Sequence, residues 1–221
     1  MTIELTADDG HRLSAYRAGP EDATRGLVLI QEIFGVNGHI RRLCDHFGAL
    51  GWAVVAPALF DRAERNVELG YGPDDRARGM ALRARVPDAG ALADVEAAAA
   101  ALPAGARKAI IGYCWGGTVA WWGATRTGLF QAAVGYYGGG IAAAREEVPR
   151  CPVQLHFGEK DGGIPLSDVE AIRAARPEVE VLVYAGAGHG FACEERDSYS
   201  PPNATVAQAR TEAFLDSHVA R

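Results

Sequence analysis

Cys114 is the residue best placed for covalent chemistry. It lies in the run Gly112-Tyr113-Cys114-Trp115-Gly116-Gly117, after an apolar stretch and before a helix-forming one. Strand, sharp turn and helix with the reactive residue in the turn make a nucleophile elbow, here with cysteine in place of serine. Glycines suit such a turn because it demands strained angles and close passage of neighbouring backbone. The sulfur is left at a helix N-terminus, where the dipole favours a thiolate and the Trp115 N–H can donate to an oxyanion. The alternative is a structural cysteine in a glycine-rich turn.

Two further loops carry matching chemistry. Asp161 lies in Gly158-Glu159-Lys160-Asp161-Gly162-Gly163, and His189 in Gly186-Ala187-Gly188-His189-Gly190-Phe191. Alone, Asp161 could simply make turn bonds, and His189 could be a solvated loop residue. Together they complete the order nucleophile, acid, histidine, each just after a strand, which is the order of α/β-hydrolases. This predicts a Cys114–His189–Asp161 triad with His189 as base and Asp161 orienting its ring. Gln31-Glu32-Ile33-Phe34-Gly35 ends an earlier strand. The Ile33 N–H stands where this fold places its second oxyanion donor.

The elements that must position these residues alternate along the chain. Thr2–Leu5 and Arg12–Arg17 read as strands joined at Asp8-Asp9-Gly10. The apolar runs at 26–31 and 52–56 read as buried strands, and 108–113, 132–137, 153–157 and 179–184 as further strands. Helices are expected at 37–50, 91–102, 115–126, 166–176 and 205–219, with a long arginine-rich excursion over 58–79 that leads into a helix. Strands alternating with helices imply a mostly parallel sheet covered on both faces, with chemistry beyond the strands' carboxyl ends. The fold class is therefore α/β, of α/β-hydrolase type, with residues 1–221 as a single domain.

Composition narrows the function. The 221 residues are 48% hydrophobic with a formal net charge of −6, which argues against a nucleic-acid partner. No apolar run reaches the about 20 residues of a membrane helix, and the opening residues lack a signal-peptide pattern. The reading is a cytoplasmic protein with no membrane partner and reduced thiols. Cys44, Cys114, Cys151 and Cys193 form no CxxC pair, so no metal site is expected.

These residues resemble the dienelactone hydrolase (carboxymethylenebutenolidase) family. The matching segments are Gln31–Gly35, Pro57-Ala58-Leu59-Phe60, Gly112–Gly117, Val134-Gly135-Tyr136-Tyr137-Gly138, Gly158–Pro165 and Gly188–Phe191, spread over nearly the whole chain in the family's order. The resemblance implies hydrolysis of a small lactone or ester through a thioester acyl-enzyme, without cofactor, by a monomer. It gives catalytic roles to Cys114, Asp161 and His189, has Glu32 help activate the thiol, and makes the N–H groups of Ile33 and Trp115 the oxyanion hole. Glu32 beside the thiol would disfavour the thiolate, whereas His189 and the helix terminus favour it; the reading is a resting neutral thiol whose proton Glu32 takes when substrate binds.

The substrate side departs from the family. Dienelactone is an anion held by two arginines in the best-studied branch. Arg78 matches one; the position of the other is Cys193, and the family's serine beside the histidine is Gly190. Arg62, Arg65 and Arg196 are the available replacements, and arginine is suited to bidentate carboxylate binding. Phe34, Trp115 and Cys193 are candidates for the pocket wall. The alternatives are an esterase with a different pocket, or a hydrolase-fold thiol sensor without catalysis.

Overall fold

A computed structural model describes residues 1–219. The chain divides into two compact units, Met1–Ala109 and the residues from Ile110 onward. Each is α/β.

The first unit opens with a hairpin. β1 (Thr2–Thr6) and β2 (Arg12–Ala18) pair antiparallel, with Leu5 opposite Leu13. β3 (Arg25–Ile30) and β4 (Ala53–Pro57) are buried along their whole length and pair in parallel. β4 also pairs antiparallel with β2, so the strand order is β1-β2-β4-β3. Pro57, expected to end its strand, closes the ladder opposite Ala15. The first helix, α1 (Gly38–Ala49), begins where Asn37 Oδ1 accepts the Ile40 N–H at 3.3 Å. The excursion after β4 holds a 3-10 turn at Leu59–Arg62 and then α2 (Pro73–Arg83). α2 starts at a proline whose missing N–H costs nothing in a first turn, with Asp74 and Asp75 beside it to suit the dipole. α3 (Asp88–Ala100) completes the helices of this unit.

The second unit carries the expected chemistry. β5 (Arg107–Tyr113), whose last four residues fall here, leads into α4 (Trp115–Arg126). β6 (Ala132–Tyr136), β7 (Val153–Gly158) and β8 (Glu180–Tyr184) follow in parallel register, in the order β5-β6-β7-β8. α5 (Leu166–Ala175) lies between β7 and β8 in sequence. α6 (Pro201–His218) starts four residues before the expected Thr205. Pro201 and Pro202 read as breakers in sequence, but in a first helical turn they are well placed. No helix among the described residues is long and apolar enough to cross a membrane.

Candidate active site

The turn at Cys114 is as tight as its glycines suggest. Cys114 has φ 57° and ψ −118°, a strained backbone for a non-glycine residue. A Cβ on Gly112 would lie 1.8 Å from the Gly116 carbonyl oxygen, so the strand can double back into α4 only without one. The second crowded position is Gly117, where a Cβ would lie 2.6 Å from the Tyr136 carbonyl oxygen. That same carbonyl accepts the Cys114 N–H at 2.9 Å. The turn that carries the sulfur is therefore hemmed in by backbone, at the head of a helix that is buried over most of its length.

The three chemistry-bearing side chains meet within the second unit. His189 Nε2 lies 3.2 Å from Cys114 Sγ, and Nδ1 lies 2.7 Å from Asp161 Oδ2. Asp161 is buried, and its Oδ1 accepts the Gly163 N–H at 2.9 Å. Burial pushes the His189 pKa down, but the hydrogen bonds to Asp161 and Cys114 outweigh it and raise the pKa to about 10. The two contacts favour positive charge on the ring, the form it takes when it carries a proton from the sulfur.

The acid and base loops are tied to one another. The Glu159 N–H donates to the Tyr184 carbonyl at 3.0 Å and the Lys160 N–H to the Ala187 carbonyl at 2.8 Å. Glu159 Oε2 accepts the Gly186 N–H at 2.8 Å. These bonds fix the path of both loops before a substrate arrives. Two contacts to His189 had no assigned role in the sequence. The Ser198 hydroxyl donates to the His189 carbonyl at 2.6 Å, and the Tyr137 ring lies 5.0 Å from the imidazole. Tyr137 stood in a recognised segment and has φ 38°; nothing local in the sequence marks Ser198.

The remaining expected residues fall as follows. Trp115 is buried at the start of α4. Cys193 is fully buried, its N–H donating to the Gly190 carbonyl at 3.0 Å. In the first unit, Glu32, Ile33 and Phe34 are buried just beyond β3, with the Phe34 ring 4.6 Å from that of Tyr71. Arg78 is half exposed on α2 and pairs with Glu64 at 2.5 Å. Of the replacement arginines, Arg62 is committed to Asp94 and Asp9, with all three bonds at 2.7–2.8 Å. Arg65 donates to the Arg12 carbonyl at 2.9 Å. Arg196 packs against Gly190, where a Cβ would lie 2.5 Å from its guanidinium.

The cysteines differ in environment. Among the described residues none of the four is in a disulfide. Burial raises the Cys44 pKa far above the ordinary thiol range and pushes that of Cys151 to about 11. Cys114 is half-buried and faces an imidazole, the surroundings expected of a reactive thiol.

Comparison with known proteins shows the family. The model of the Dienelactone hydrolase family matches residues 13–219. A relative from Azospirillum brasilense, named "Putative carboxymethylenebutenolidase", is 34% identical over 98% of each chain. One of the same name from Synechocystis sp. is 32% identical over 87% of this chain and 86% of its own. A crystal structure from Klebsiella pneumoniae, described as a "Putative Dienelactone Hydrolase", superimposes with a TM-score of 0.82 at 31% identity, covering 97% of this chain and 98% of that one.

Proposed function

The chain belongs to the dienelactone hydrolase family and is a carboxylic ester hydrolase with the α/β-hydrolase fold; from that premise we propose that it cleaves a lactone or small ester through a thioester on Cys114. The observation that carries the proposal is the pair of contacts of His189, 3.2 Å to the sulfur and 2.7 Å to Asp161.

His189 takes the thiol proton as sulfur attacks the substrate carbonyl carbon. The tetrahedral oxyanion forms against the N–H of Trp115, with the Ile33 N–H as second donor. The carbon–oxygen bond then breaks and the alkoxide takes the proton from His189, leaving a thioester. A water gives its proton to His189 and attacks the thioester, and the thiol leaves with that proton. From a lactone the product is the ring-opened hydroxy acid. Asp161 holds Nδ1 as the donor, so that Nε2 faces the sulfur. Glu32 keeps the activating role that the resemblance gives it, and Arg78, Phe34 and Cys193 that of substrate contacts. The family model spans both compact units, which supports their acting as one catalytic domain.

A second reading is an esterase whose substrate lacks the dienelactone carboxylate. It is favoured by Cys193, buried where a binding arginine is expected. Hydrolysis of p-nitrophenyl acetate and of cis- and trans-dienelactone by wild type and Cys114→Ala separates the readings. Turnover of all three, abolished in the variant, supports the lactonase. Turnover of the aryl ester alone supports the second reading. No turnover of any ester between pH 6 and 9 overturns both.

A further inference from the structure

His156 is a titratable side chain that this chemistry leaves unused. It is fully buried on β7. Burial, with the Arg210 charge added, holds its pKa down to about 3, so the ring is neutral. A neutral imidazole offers one donor and one acceptor, and the partners here fix which is which. The Gln154 amide nitrogen is committed to Glu180 at 2.8 Å, so its oxygen, 2.9 Å from His156 Nε2, must accept. Nε2 carries the hydrogen and shares it with Thr211 Oγ1 at 3.1 Å. Nδ1 then accepts from the Tyr184 hydroxyl at 2.7 Å, and the Arg210 guanidinium lies 5.6 Å from the Tyr184 ring. The Thr211 hydroxyl meets that of Tyr136 at 2.7 Å. A buried network with every partner matched holds one geometry.

The rings stack as well as bond. Tyr113, Tyr136, His156 and Tyr184 come one each from β5, β6, β7 and β8. Their centroids are 4.6, 4.3 and 5.7 Å apart in that order, with planes within 24° of parallel. Every ring adjoins the reactive end of the unit. Tyr113 precedes Cys114, and the Tyr136 carbonyl holds the Cys114 N–H. The His156 carbonyl accepts the Tyr137 N–H at 2.7 Å, and Tyr137 leans on His189. The Tyr184 carbonyl ties the acid loop to the base loop.

We propose that His156 is a positioning residue for ester hydrolysis: as the hydrogen-bonded rung of this four-ring ladder, it holds β5 to β8 so that Cys114, Asp161 and His189 emerge at reacting distance. The role rests on the cysteine-hydrolase reading above. A displacement of about 1 Å at a reacting pair costs on the order of 100-fold in rate, so a small shift of the ladder is read in turnover.

The test uses the full chain and two variants. His156→Phe keeps a stacking ring and removes all three side-chain hydrogen-bond contacts; Tyr184→Phe keeps its ring and removes one. Turnover of p-nitrophenyl acetate is measured per titratable Cys114 thiol, alongside the rate of Cys114 alkylation by iodoacetamide and the melting temperature. For His156→Phe, kcat falls about 10- to 100-fold with KM within about 2-fold, and the alkylation rate changes with it. Tyr184→Phe shows the same pattern at roughly a tenth of the size. A folded variant with wild-type kcat and alkylation but a lower melting temperature makes the ladder structural only and overturns the proposal. If His156→Phe does not fold, Tyr184→Phe decides. If wild type hydrolyses no ester, the hydrolase reading falls and takes the positioning role with it, whatever the alkylation rates. If wild type is active and Cys114→Ala is dead while neither variant moves kcat or alkylation, only the positioning role falls.

Discussion

Asp161→Asn is expected to damage the enzyme more than Asp161→Ala, and the reason lies in one backbone bond. The two carboxylate oxygens have different partners: Oδ1 accepts from the Gly163 N–H at 2.9 Å, and Oδ2 faces His189 Nδ1 at 2.7 Å. An asparagine has one acceptor and one donor in these places. Gly163 can only donate, so it claims the amide oxygen, and the NH2 is turned towards Nδ1. The imidazole must then accept at Nδ1 and carry its hydrogen on Nε2, facing the sulfur, where it cannot take a proton. A wrong-tautomer lesion of this kind costs about 10,000-fold in kcat, or about 5 kcal/mol of barrier. Alanine leaves room for water to accept from Nδ1, so the productive tautomer survives and the loss is roughly 10- to 100-fold smaller. The assay is kcat for p-nitrophenyl acetate at pH 8, with Cys114 titrated to count sites. An asparagine variant that keeps more than about a tenth of wild-type kcat, or that outperforms the alanine variant, refutes the tautomer argument.

Other expectations follow from the same geometry. The raised His189 pKa contributes stability that is complete below the ordinary value of 6.5 and is lost as pH rises through about 10; the melting-temperature gap between wild type and Asp161→Asn should therefore narrow from pH 6 to pH 10. Iodoacetamide at pH 8 should label one thiol rapidly, Cys114 by peptide mapping, because burial raises the Cys44 and Cys151 pKa values and Cys193 is fully buried. Labelling of Cys193 first would contradict this. Gly112→Ala should lower stability by about 3 kcal/mol or more, since its Cβ meets backbone at 1.8 Å, as read by denaturant unfolding. Ser198→Ala, which removes the 2.6 Å bond to the His189 carbonyl, should cost about 1 kcal/mol and a few-fold in kcat.

Much of the site was legible because its signals are local. A strand ending in glycine and cysteine before a helix-forming run marks a sharp turn whatever surrounds it, and the helix start at Trp115 falls where the sequence puts it. Continuous apolar runs mark β3 and β4 because a strand buried on both faces tolerates little else. The start of α6 was misplaced because Pro201 breaks a helix or begins one according to its position, which propensity cannot resolve. The reach of Arg62 was open because its partners Asp9 and Asp94 are 53 and 32 residues away.

The sequence by itself determined which residue types stand at the strand ends and in what order, since periodicity and turn chemistry act over a few residues. Only the tertiary structure decided that Cys114 and His189, 75 residues apart, meet at 3.2 Å, that Gly163 fixes which Asp161 oxygen faces the ring, and that His156 is a neutral rung beneath them. Those facts depend on parallel strand register and burial, which set distances and protonation through contacts distant in sequence.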